Sequence, residues 1–249
     1  MRLVPFAAVL VLSCPLSASA QFSVEPTNVE IVQLMPAVDA AEPAFTPPLG
    51  GEIGIYPIVT RDRIVNTASR GFDVISENRP SVTIDSSFAN AFPHGITHVN
   101  QLEGWSRPVS VNYGLYARNR AGEQVVAATY RVIRRHSGKY LGRGSYLDRV
   151  TVEPLTVTAA PGWRFTMRMV PTDVRRVGTS QDPIASMRMS IEWTIVSPQG
   201  TQRGTSLYLL DGAGAFHQLS GPFRSEARSA ARATLERAET VLGAASRAW

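Results

Sequence analysis

Hydrophobic and polar residues alternate with a period of two along much of the middle of the chain. Met187-Arg188-Met189-Ser190-Ile191-Glu192-Trp193-Thr194-Ile195 is apolar at every odd position and polar at every even one, the pattern of a strand with one buried face. Residues 109–118, VSVNYGLYAR, put Val109, Val111, Tyr113, Leu115 and Ala117 on one face. Residues 123–134, EQVVAATYRVIR, put Val126, Ala128, Tyr130 and Val132 on one side and Val125, Ala127, Thr129 and Arg131 on the other. The short Asn119-Arg120-Ala121-Gly122 between these two runs predicts a β-hairpin. Further strands are predicted over 146–152, 155–158, 164–170, 187–196 and 205–210, with Pro154, Pro161-Gly162, Pro171, Pro198-Gln199-Gly200 and Asp211-Gly212 as breaks between them.

Strands at short spacing, with no helices between them, predict a mainly β fold over residues 51–222. An antiparallel β-sandwich, immunoglobulin-like or related, is favoured, with a barrel as the alternative. The period changes after Pro222. Ala227, Ala231, Leu235, Ala238, Leu242 and Ala245 recur at steps of three and four, which predicts a C-terminal amphipathic α-helix over 223–249. Its thin, Ala-rich stripe suits packing on the β-domain or docking to another chain through Leu235, Leu242 and Trp249.

The front of the chain has a different character. Arg2, the apolar run Leu3 to Leu12 and Ala18-Ser19-Ala20 form the three parts of a secretory signal peptide over 1–20, cleaved before Gln21. Val11-Leu12-Ser13-Cys14 also loosely resembles the lipobox of bacterial lipoproteins, and membrane anchoring would follow only if Cys14 were acylated. Residues 21–50 hold Pro26, Pro36, Pro43, Pro47 and Pro48 and predict an arm and linker. Within it NVEIVQLM can form one strand stopped by Pro36. Val29, Ile31, Val32 and Leu34 would then pack on a sheet edge, the chain's own or a neighbour's.

Composition narrows the classes. Hydrophobic residues are 44% and charged residues 18% of 249, which excludes a disordered, collagen-like or coiled-coil chain. One Cys excludes a disulfide framework and a Cys-based zinc site. The net charge is +5, compatible with contact to anionic envelope polymers. Lys139 is the only lysine, and genome base composition is the simplest cause.

The search for chemistry finds no catalytic constellation. His94 and His98 stand four apart, but Gly95 replaces the Glu of a zinc-protease helix, and Pro93 and Gly95 disfavour a helix there. No G-x-S-x-G elbow and no phosphate loop is present. The carboxylates Asp85, Glu103, Asp148, Glu153, Asp173 and Glu192 are scattered. The best-defined cluster is basic: Arg131, Arg134, Arg135, His136, Lys139, Arg143 and Arg149, interleaved with Tyr140 and Tyr146. Read as a strand end and loop, it makes Arg134, Arg135, Lys139, Tyr140 and Arg143 a candidate ligand site for phosphate or uronate groups. Phe88, Phe92, His94, His98 and Trp105 form an aromatic connection that either anchors a long loop or meets a partner.

The expectation is an exported, non-enzymatic envelope protein, periplasmic or at the cell surface. It would act in binding, adhesion or assembly, with Val29, Ile31, Leu235, Leu242 and Trp249 toward the partner. The partner would be another envelope protein or an anionic glycan. No cofactor, metal or nucleic acid is implied. A secreted polysaccharide hydrolase using Glu103, Asp148 or Glu192, and an anionic-polysaccharide-binding module, are the rivals.

Overall fold

The alternating runs become strands with their apolar faces inward. In the computed structural model, which describes residues 28–39, 58–82 and 87–224, Met187, Met189, Ile191, Trp193 and Ile195 are all buried. The strands are β1 (Asn28–Asp39), β2 (Thr60–Val65), β3 (Phe72–Ser76), β4 (Arg79–Pro80), β5 (Ala89–His94), β6 (Val109–Arg118), β7 (Gln124–Tyr140), β8 (Arg143–Ala159), β9 (Arg164–Gly178), β10 (Pro183–Ser197), β11 (Gly200–Asp211) and β12 (Phe216–Ser220). One 3₁₀ turn spans Val99–Gln101, and there is no α-helix among the described residues.

Two runs of paired strands make the architecture. One runs β2-β5-β8-β7-β6-β1 and the other β12-β11-β10-β9-β3-β4. All of these pairings are antiparallel. The runs are joined by a parallel bridge between Ile184 of β10 and Ser145 of β8, and by another between Ile31 of β1 and Phe223. The fold is therefore mainly β with mixed pairing, where a purely antiparallel arrangement was expected. The β network also takes in residues on both sides of 51–222. Asn28–Asp39 completes an edge of the first run, and Phe223, placed at the start of the expected helix, is extended and buried. The rest of that helix, the signal segment with Cys14, and most of the linker lie outside the described residues.

Three prolines read as strand ends sit inside strands, each at a bulge. Tyr130 pairs with Pro154 and Thr129 with Thr156, so Leu155 is an extra residue in β8. Met189 pairs with Pro171 and Arg188 with Asp173, so Thr172 is extra in β9. The β1 register shifts on both sides of Met35, and the strand passes through Pro36 to Asp39. A proline cannot donate to the ladder, but a bulge leaves one residue unpaired, so the strand continues through it. The expected 146–152 and 155–158 are one strand of 17 residues, and 164–170 is part of one of 15.

The core is centred on rings contributed by both runs. Tyr113 stacks on Tyr130, with centroids 5.6 Å apart, and meets Tyr208 edge-on at 5.4 Å. Phe216 and Phe223 close on Tyr208, each at 5.5 Å. Burial would strand the phenol groups, so they bond one another: the Tyr130 and Tyr208 hydroxyls lie 3.0 Å apart, and Gln218 Nε2 donates to the Tyr113 hydroxyl at 3.1 Å.

Two indoles lie flat over glycines. Trp193 is paired with Gly204 across β10 and β11, and a Cβ at Gly204 would enter the Trp193 ring. Gly138 is covered in the same way by Trp105. A methyl group at Gly204 forces the indole off its seat in a packed interior. Gly204→Ala is expected to cost about 1–3 kcal/mol, read from urea unfolding. A loss below about 0.5 kcal/mol would show that Trp193 has room to move.

Candidate functional site

The inward row of β7 is Ala128, Tyr130 and Val132, and one more step of two reaches Arg134. Its side chain therefore points into the core, and the residue is 4% exposed. The guanidinium lies over the Phe216 ring, 4.7 Å from its centroid, and donates through Nη2 to the Gly214 carbonyl at 3.2 Å. Its Nε and Nη1 are buried without hydrogen-bond partners. Burial disfavours its charge, and the nearby Tyr113 and Asp211 only partly compensate.

Arg135 points the other way, to the face that Trp105 covers. Residues 103–106 continue the β6 edge of β7: Glu103 and Lys139 exchange backbone bonds at 2.9 and 2.7 Å, and Ser106 N donates to His136 O at 2.9 Å. This places Trp105 over the Arg135 guanidinium, 5.4 Å from centroid to carbon. The connection with Phe88, Phe92 and Trp105 is thus an anchor, with Phe92 and Trp105 rings 6.1 Å apart. Arg135 Nη1 and Arg149 Nε both lie 3.8 Å from Asp148 Oδ2. Asp148 is 2% exposed. Burial pushes its carboxyl above the ordinary range, and Arg135, Arg149 and a backbone bond from Arg149 work against that rise without cancelling it.

Three bulges force this arrangement. Ile133 pairs with Thr151, Arg135 with Asp148, Gly138 with Tyr146 and Tyr140 with Arg143, so an extra residue enters β8, then β7, then β8 again. Arg149 and Ser137 take positive φ of 49° and 64° there, which is strained for residues with side chains. Ser137 is held by a bond from its N–H to Gly212 O at 2.8 Å, and its hydroxyl lies 2.8 Å from His136 Nδ1. Burial first, and then the Arg134 charge, lower the His136 pKa.

The expected basic patch is therefore dispersed. Arg134 is inside, Arg135 is stacked and paired on the opposite face, and Tyr140 packs against the core. Only Lys139 and Arg143 of the five are exposed, near the hairpin tip, where Leu141 is 76% exposed. The reading of Arg134, Arg135 and Lys139 as a strand end and the loop leading to Gly144 is corrected: β7 runs to Tyr140, and Leu141-Gly142, both at positive φ, form a two-residue turn. Val29 and Ile31 lie in β1, with Ile31 only 1% exposed. Leu235, Leu242 and Trp249 lie outside the described residues, as does Asp85. Of the proposed carboxylates, Glu153 pairs with Arg131, and Asp173 with Arg175 and Arg188.

Glu192 lies elsewhere, in a groove that sequence reasoning missed. Asp73, Ser76, Thr166, Arg168, Glu192 and Thr194 are among the residues lining an open groove of about 300 Å³ on β3, β9 and β10. Arg168 Nη1 donates to Asp73 Oδ1 at 3.1 Å. The only signal in the sequence is that Arg168, Glu192 and Thr194 fall on polar positions of alternating runs. Nothing local brings Asp73 to them.

Two measurements test these charges. An under-bonded buried guanidinium contributes less than an apolar group of its length, so Arg134→Met is expected to leave stability unchanged or raise it by roughly 1–3 kcal/mol. A loss of more than about 1 kcal/mol in urea unfolding would mean that the bond to Gly214 holds the turn before β12. For Asp148, a raised pKa means that the fold keeps a proton the unfolded chain has released. Stability should then fall as pH rises from about 4 through the raised value, above which the contribution is gone. Subtracting the Asp148→Asn profile should isolate that slope. Identical wild-type and variant profiles between about pH 4 and 7 would rule the assignment out.

Compared with protein-family models, with curated proteins and with solved structures, the chain matches none of them.

Proposed function

We propose that the protein is an exported, non-catalytic component of a bacterial envelope that binds or assembles with another envelope protein through its terminal segments. The export pattern of residues 1–20 supports the location, in the periplasm or at the cell surface, with lipidation at Cys14 as the alternative route. In this reading the two strand runs lie face to face as a sandwich, which is supported by the ring contacts of β6 and β7 with β11 and β12.

The observation that carries the proposal is the clamp at Ile31. Its N–H donates to Pro222 O at 2.7 Å, and its carbonyl accepts from Arg224 N at 3.1 Å. Its other edge faces Leu115 of β6. Arg224 and Glu30 add an ion pair at 3.4 Å. The segments before residue 28 and after residue 224 therefore start from neighbouring points on one firmly paired body. That geometry suits a shared docking element built from the arm and from Leu235, Leu242 and Trp249. The basic stretch supports it less, because Arg134 and Arg135 are engaged within the fold.

The clamp also dictates how the ends can be tested. Cutting away 21–49 or 223–249 removes Ile31 or Phe223 and damages the core. Ile31→Ala alone is expected to cost about 2–4 kcal/mol. Cuts that spare residues 28–224 should leave the thermal midpoint within a few degrees and abolish chemical cross-linking to an envelope partner. Cross-linked species that survive removal of both 21–27 and 225–249 would end the proposal.

A further inference from the structure

The outward face of β3, β9 and β10 is assembled in rows. Asp73 is opposite Arg168, and Arg168 is opposite Glu192. Two residues along, Thr166 is opposite Thr194. The groove over these rows thus holds two carboxylates, one guanidinium and the hydroxyls of Ser76, Thr166 and Thr194. The guanidinium is tied to Asp73. Glu192, exposed in mid-strand, has no hydrogen bond or ion pair among the described residues.

This composition selects by charge. Arg79, Arg164 and Arg203 flank the groove, opposite Ser76, Val196 and Thr194, so selection rests on its interior, where Arg168 is already tied to Asp73 and an anion would meet the unpaired Glu192. A simple cation meets Arg168 between the two acids. An uncharged molecule with hydroxyls on adjacent carbons fits both: a carboxylate accepts two such hydroxyls, and a guanidinium donates to two of their oxygens. The volume is at the lower end of the roughly 300–1,000 Å³ of small-molecule sites. Because the groove is open, a longer chain could pass along it with one short segment engaged.

We propose that the Asp73–Arg168–Glu192 groove binds a neutral, hydroxyl-rich glycan. The site lies on different strands from the Ile31–Phe223 clamp and does not depend on the terminal segments binding anything.

The test titrates the full chain with hexamers of maltose, cellulose, laminarin and chitin type, and with a galacturonate hexamer as the charged control. At least one neutral hexamer is expected to bind with Kd on the order of 1 mM, with the galacturonate weaker. Glu192→Gln should weaken the neutral ligand about tenfold, and the Asp73→Asn, Glu192→Gln pair should remove measurable binding. The circular dichroism spectrum should be unchanged. If Asp73→Asn disturbs β3, Thr194→Val reads the same groove, with a severalfold loss expected. The proposal fails if no neutral hexamer binds at about 10 mM, if galacturonate binds more tightly than all of them, or if binding survives the groove variants.

Discussion

Side chains on a strand alternate between two faces, and each extra residue at a bulge reverses the alternation from that point on. Three such reversals fall within the β7–β8 ladder between Ile133 and Tyr140, and they decide what lies inside and outside at that end of the molecule. β8 is also shared. The same half that pairs with β7 pairs with β5 through Ala89 and Ala91 and bridges to β10 at Ser145. A shift of one residue there would move Arg134, Asp148 and Tyr146 together and would break the junction between the two runs. Strain at Ser137 and Arg149 is thus tolerated because the register around it is fixed from several sides.

The second bridge between distant segments uses a different device. One residue, Ile31, pairs along both edges, and its side chain is buried with Phe223. A strand from the front of the chain and a segment from its end become mutually dependent, although they are 192 positions apart. Such a contact is costly in loop-closure entropy, yet that cost grows only with the logarithm of loop length. Burial of two large apolar side chains can offset it. The same pairing makes β1 and Phe223 poor candidates for removal.

Much of this was legible in the alternation alone. Residues 109–118 and 187–195 have an unbroken period of two, and both formed strands with the expected faces buried. Extending the Tyr130–Val132 step once would have placed Arg134 in the core, but a run of cations suggested solvent instead. Pro36, Pro154 and Pro171 were misleading for a local reason. Proline forbids one hydrogen bond, and whether a strand ends there depends on the partner strand, which no single segment reveals. The groove was out of reach for a related reason: Asp73, Arg168 and Glu192 meet only through the pairings of β3, β9 and β10, in which Asp73 and Arg168 are 95 positions apart.

Arg134 and Arg135 are consecutive, face opposite ways and meet the same solution. Each guanidinium lies over an aromatic ring, Phe216 for one and Trp105 for the other. A ring face carries partial negative charge and requires no ionised partner of its own, so at Arg134 it accepts a cation where a carboxylate would bring a second desolvation cost. Arg135, by contrast, has the buried Asp148 beside it as well as its ring. The planar, weakly hydrated guanidinium suits that surface, whereas an ammonium group is compact and holds its water. At most positions the preference for arginine over lysine in this chain needs no structural cause. At 134 and 135 it has one, because a lysine there would lose its hydration and gain little from the ring.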